Sequence, residues 1–197
     1  EAARLLLMDA VNGSSQLVLE DHTHSSKVVF ANLGKSTTYL NVRTKARIEH
    51  QSLRIDFSDF EKLMGPKAVK ASFDLGITIL HELVHGVRKL KDSVNEWEEI
   101  GDCERFVNTM RKELGLPERQ QYVARSRNVI SPLGWTVNIA ELQFARTDFR
   151  NGKLKTDEYK LSWDVNRVGL GERGVVAPNW QAEANKKPEQ KSSAAIQ

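Results

Sequence analysis

The spacing of apolar residues changes at Gly65-Pro66, and that change limits the chain to a fold in which strands and helices are segregated along the sequence. Upstream, Leu53-Arg54-Ile55-Asp56-Phe57 alternates apolar and polar, the pattern of a half-buried strand. Gln16–Glu20 and Lys27–Asn32 read as short strands and Thr37–Ile48 as extended structure. A helix over residues 1–10 precedes them and stops at the turn cluster Asn12-Gly13-Ser14-Ser15. Downstream, Pro66 suits the first turn of a helix, and residues 68–90 carry Phe73, Ile77, Leu80, Val84 and Val87 at helical spacing. Asp92-Ser93 breaks that helix and offers a cap for the next, expected from Asn95 to Leu114 and stopped by Gly115 and Pro117.

Residues 119–136 are basic and read as irregular. Thr136–Phe149 and Lys155–Val165 read as strands joined through the hairpin signal Asn151-Gly152. The expected architecture is α+β: a small mixed or antiparallel sheet packed on two consecutive helices, with a C-terminal β-hairpin. Residues 1–178 form one domain in this reading. Residues 179–197, rich in Gln, Lys, Ala and Ser, form a disordered tail.

The 197 residues include five His and one Cys. One Cys excludes a disulfide framework and a Cys-rich zinc module, and suits a reducing compartment. A metal site must then be built from His and carboxylates. Lys and Arg number 29 against 26 acids, a net charge of +3. That is far from the dense positive field of a dedicated nucleic-acid binder, so nucleic acid is not an expected partner. No apolar run approaches the roughly 18 residues of a membrane span. The chain opens on Glu1, which reads as a processed product or a domain cut from a longer chain.

The chemistry concentrates at His81-Glu82-Leu83-Val84-His85. Positions i and i+4 share one helix face, so two imidazoles can grip one Zn²⁺. The Glu between them then stands beside the zinc-bound water, whose pKa the metal lowers, and takes its proton as general base. Catalytic zinc needs a third protein ligand, and no His follows His85. A carboxylate on the next helix is the natural candidate. At about 100° per residue, Ile100, Cys103, Val107, Met110 and Leu114 fall within roughly 40° of Glu96, which puts Glu96 on the centreline of the apolar face. A charge there is costly unless paired or bound to metal, so Glu96 is the favoured third ligand and Glu99, about 60° aside, the runner-up.

An HExxH helix followed by a helical Glu resembles the gluzincin arrangement of zinc metallopeptidases. The segment Asn95-Glu96-Trp97-Glu98-Glu99-Ile100-Gly101, with Asn108 to Arg119 (NTMRKELGLPER) and Tyr122 after it, is similar to NleD-type effector peptidases and to the C-terminal toxin domains of bacterial Rhs-type proteins. The similarity covers roughly residues 75–122. It implies a small zincin of α+β type with zinc as cofactor and His81, Glu82, His85 and Glu96 in the matching positions. It further implies a protein or peptide substrate, secretion or translocation into a target cell, and a cognate immunity or delivery protein as partner. The strands after residue 136 have no place in that resemblance. The competing reading is a non-catalytic protein-binding module whose metal is structural.

Other residues carry weaker signals. Tyr122 is a candidate donor to a developing oxyanion. Arg119 reads as a partner of Glu113 or Glu118. Cys103 reads as a small core residue. His22 and His24 read as exposed loop histidines, and Arg43, Lys45 and Arg47 as solvated surface.

Overall fold

The computed structural model describes residues 1–93 and 100–168. They form an α+β fold with two small sheets and five α-helices among the described residues. The N-terminal helix α1 (Ala2–Asn12) buries Ala2 and Leu6. The first sheet contains β1 (Ser15–Asp21), β2 (Ala31–Leu33), β3 (Thr37–Leu40) and β4 (Arg47–Ile55). β1 pairs with β4 in parallel, while β2 and β3 pair with it antiparallel along its other side. The register slips by one residue between Leu33↔Leu53 and Thr37↔His50, so the segment between β2 and β3 carries a bulge.

Two strand expectations change here. Lys27–Asn32 pairs only from Ala31 onward. Phe30 instead takes a positive φ of 61°. Its N–H donates to Asp59 Oδ2 at 3.1 Å, and its ring packs edge-on against Phe60, Phe73 and Trp163. These tertiary contacts outweigh the β-propensity of Val28, Val29 and Phe30. The alternating run from Leu53 stops at Ile55, because Asp56 accepts from Ser58 N at 3.0 Å and caps α2 (Phe57–Glu61).

The expected helix over 68–90 divides. α3 (Lys67–Ala71) ends before Phe73, and Asp74 caps α4 (Leu75–Leu83) by accepting from Ile77 N at 2.8 Å. A π-helical turn (Val84–Arg88) continues α4 and ends at Lys89, whose φ is +55°. The next helix, α5, is described over Asp102–Glu113 with Gly101 as its extended N-cap. The helical wheel that placed Glu96 in line with Cys103 therefore does not run unbroken through residue 101. Glu96 and Glu99 themselves lie outside the described residues, as does the tail from Asn179.

The second sheet is antiparallel throughout. β7 (Thr136–Arg150) pairs with β5 (Glu118–Arg119) and β6 (Arg125–Ile130) on one side and β8 (Lys153–Asp164) on the other. Residues 119–136, read as irregular, thus supply β6 and the end of β5; β6 is a half-exposed, charge-bearing strand with too few apolar residues to show a period. The β7–β8 hairpin turns at Asn151 (φ 52°) and Gly152 (φ 74°), the positive pair an Asn-Gly turn requires.

Two apolar cores result. One joins Phe30, Leu63 and Val69 to the inner face of the second sheet through Ala140, Leu142, Phe144, Leu161 and Trp163. The other packs Leu6 of α1 against Ile77 and Leu83 of α4, Val84, and Cys103, Val107 and Met110 of α5. No described helix is long and apolar enough to cross a membrane.

Candidate metal centre

α4 carries His81 and Glu82, and the π-helical turn carries His85, which is mostly buried beside buried Val84 and Gly86. Such turns often mark functional sites. Gly86 leaves room for Gln51, whose Oε1 would lie 2.8 Å from a Cβ there and would have to shift. His85 Nδ1 donates to Leu90 O at 2.7 Å, and His81 Nδ1 faces Glu104 Oε2 at 3.3 Å. Each ring is thereby turned by a protein acceptor at Nδ1, which directs its Nε2 inward. The two Nε2 atoms meet at 3.1 Å.

Asp92 completes the group. Its Oδ2 lies 3.1 Å from His85 Nε2, and its Oδ1 lies 3.5 Å from His81 Nε2. Tetrahedral zinc bound at 2.0–2.1 Å sets such donors about 3.3 Å apart. Asp92 Oδ1 is buried and makes no hydrogen bond, the condition of a ligand atom rather than of a structural carboxylate. The donor set therefore fits a small divalent cation. Among the described residues, His81, His85, Asp92 and Cys103 each offer a donor atom within 4.8 Å of the others.

Glu82 points toward the first sheet. Its Oε2 accepts from Leu33 N of edge strand β2 at 2.9 Å. Burial raises its pKa against the opposing pull of His81 and His85, which favours a proton acceptor. Tyr122 stacks on His81 at 6.5 Å between ring centroids. Its hydroxyl donates to Asp92 Oδ2 at 2.6 Å, so in this geometry it orients the carboxylate. Burial, then that same hydrogen bond, raises the Tyr122 pKa.

Behind His81 lies a buried ion network. Glu104 has no exposure and accepts from Arg119 Nη1 at 3.0 Å and from Arg111 Nη1. Asn108 accepts from Arg111 Nη1 and from Arg119 N, each at 2.8 Å, and donates to Arg119 O at 2.8 Å. Arg119 thus pairs with Glu104, not with the nearer-sequence Glu113 or Glu118. Burial pushes the Glu104 pKa up, but Arg119 and Arg111 hold it well below the usual carboxylate range. Arg111 and Arg119 of the resembling segment therefore converge on one carboxylate that touches a candidate ligand, and Asn108 braces both arginines.

A cavity of about 390 Å³ opens beside His81 and Glu82 and is walled by Phe30, Phe73, Leu142 and Trp163. It joins the two cores at the candidate centre.

Of the residues at this centre, sequence reasoning misses Asp92; it places Glu104 on the flank of the helix, among the nearby carboxylates but not favoured, and Cys103 in the core. Asp92 read as a helix cap because it stands in a chain break, and only the fold of the segment after Leu90 returns it to the histidines. His22 stays on the surface, its Nε2 3.2 Å from Glu20. No protein-family model, curated protein or solved structure matches the chain.

Proposed function

We propose that this chain is a zinc-dependent endopeptidase of the zincin type, acting as a secreted or translocated bacterial effector or toxin domain. The observation that carries the activity is the convergence of both HExxH imidazoles on Asp92, with the Glu82 carboxylate on the same helix turned to a strand edge. Effector delivery rests on the resemblance of residues 75–122, and a cognate immunity protein would follow from it.

His81 and His85 hold the metal through Nε2, and Asp92 supplies the carboxylate. Bound zinc supplies a Lewis acid that polarises the scissile carbonyl and acidifies water. Glu82 takes a proton from the attacking water and passes it to the leaving amine. Leu33 N–H fixes the orientation of that carboxylate, leaving its second oxygen for the proton. β4, which contains Leu53–Ile55, is flanked on both sides; the edge strand beside Glu82 is β2, whose Ala31 and Leu33 N–H groups are engaged by Val29 O and Glu82, so an extended substrate would meet its carbonyls. The cavity beside β2 would receive a substrate side chain.

Metal analysis of the purified full chain tests the first step, with near-stoichiometric zinc expected. Glu82→Gln should retain zinc and lose cleavage of a cognate peptide; unchanged cleavage would refute the mechanism. Asp92→Asn and Glu96→Gln compared side by side assign the third ligand: the reading above expects Asp92→Asn to shed zinc and Glu96→Gln to keep it.

A further inference from the structure

We propose that Cys103 Sγ is the fourth protein ligand, closing the centre as a His₂-Asp-Cys set in the resting protein. The proposal rests on the metal reading of His81, His85 and Asp92. Cys103 stands in the first turn of α5 with no exposure to solvent. Its Sγ is 3.8 Å from His81 Nε2 and within 4.8 Å of the donor atoms of His85 and Asp92. With zinc–sulfur at about 2.3 Å and zinc–nitrogen at about 2.0–2.1 Å, a tetrahedral centre separates sulfur from nitrogen by about 3.5 Å. The thiol is thus a few tenths of an ångström from the bound spacing to His81 Nε2, and it lies within 4.8 Å of the donors of both His85 and Asp92.

The backbone holds it there. Cys103 N–H donates to Lys91 O at 3.1 Å, tying the first turn of α5 to the residue before Asp92. One anchored junction thus delivers two of the four donors. The competing contacts of Sγ are the His81 carbonyl at 3.6 Å and His81 Nδ1 at 3.7 Å. A thiol is a weak donor to a carbonyl, whereas a thiolate is a strong zinc ligand, so the metal wins the sulfur once it is bound. As the sulfur–metal bond forms, the S–H proton leaves to solvent. Four protein ligands are the signature of a closed zinc site, and they leave no coordination position for water. The resting centre is then latent, and turnover requires Cys103 to release the metal while His81, His85 and Asp92 keep it.

Cobalt substitution reads the sulfur directly. The full chain is loaded with Co²⁺, and its near-ultraviolet thiolate-to-cobalt charge-transfer band is recorded beside those of Cys103→Ala and Cys103→Ser. Cys103 is the chain's single cysteine, so the band has one possible source. The parent should show it, and both variants should retain cobalt and lose it. A parent that retains cobalt without the band overturns the proposal. A parent that binds no cobalt overturns the metal reading on which it rests. Latency is checked separately: at equal metal content, Cys103→Ala should cleave a cognate peptide faster than the parent, and equal or slower cleavage refutes the resting block.

Discussion

Glu104 Oε2 lies 3.3 Å from His81 Nδ1, while the same carboxyl group takes hydrogen bonds from Arg111 and Arg119 in a fully buried setting. Removing that carboxylate has two separable effects. Glu104→Ala strands two buried guanidinium groups and should cost about 3–5 kcal/mol of stability, measured by denaturant unfolding. Glu104→Gln keeps an oxygen facing His81 but removes the charge that holds the ring's proton at Nδ1. Its expected signature is a roughly 10–100-fold loss of zinc affinity in a chelator competition. An affinity within twofold of the parent would show that the network serves folding alone.

The histidine pair carries its own pH signature in metal-free protein. Burial lowers the His81 pKa, but Cys103 and Glu104 outweigh it and raise it from 6.5 to about 9. His85 is raised as well, with Asp92 as the main partner working against burial. With the Nε2 atoms 3.1 Å apart, the two rings titrate as a coupled pair. A folded pKa above the unfolded value gives stability that is full below pH 6.5 and lost as pH rises through about 9. The metal-free Tm should therefore fall between pH 7 and pH 10, while the zinc-loaded protein, whose imidazoles are already deprotonated, should lack that component. Calorimetry in buffers of different ionisation enthalpy should register proton release on zinc binding at pH 7.

Tyr122 separates two roles that predict different kinetics. Its hydroxyl donates to Asp92 at 2.6 Å, and a hydrogen bond to a charged group is worth about 1.5–3 kcal/mol. If Tyr122 is a positioning residue, Tyr122→Phe weakens zinc binding, and saturating zinc restores kcat. If its hydroxyl moves to the oxyanion during the reaction, kcat falls about 10²–10³-fold with zinc affinity unchanged. The observed geometry favours the first outcome. Titrating activity against free zinc for parent and variant distinguishes them.

Much of the fold was legible because local signals and tertiary packing agree. The Asn151-Gly152 turn, the helical His pair across α4 and its π-helical continuation, and the Gly115 stop all follow from chemistry within a few residues. Phe30 was not legible, because its positive φ is enforced by Asp59, 29 residues away, and by three aromatic rings. The HExxH triplet reads from helix geometry alone. Asp92 and Glu104 do not, because each becomes a neighbour of His81 only through tertiary packing, Asp92 from the segment after Leu90 and Glu104 from α5. A helical wheel extended across Gly101 assumed continuity where α5 begins.

Gly101 provides the sharpest test of how the Asp92 segment is held against α5. Its φ of −71° and ψ of 177° are open to any residue, so backbone strain is not the reason for glycine. Space is: a Cβ at Gly101 would fall onto the Asp92–Ser93 peptide. Gly101→Ala must push that peptide away from α5, carrying Asp92 from the histidines. The expected result is loss of zinc stoichiometry, with far-ultraviolet circular dichroism retained because the two cores are untouched. Gly115→Ala is the matched control. Gly115 has φ +68° with no atom within 4 Å of the Cβ position, so alanine there costs about 1–2 kcal/mol of left-handed strain and should leave zinc binding unchanged. Equal zinc content in the two variants would mean that the Asp92 segment is not held by its contact with Gly101.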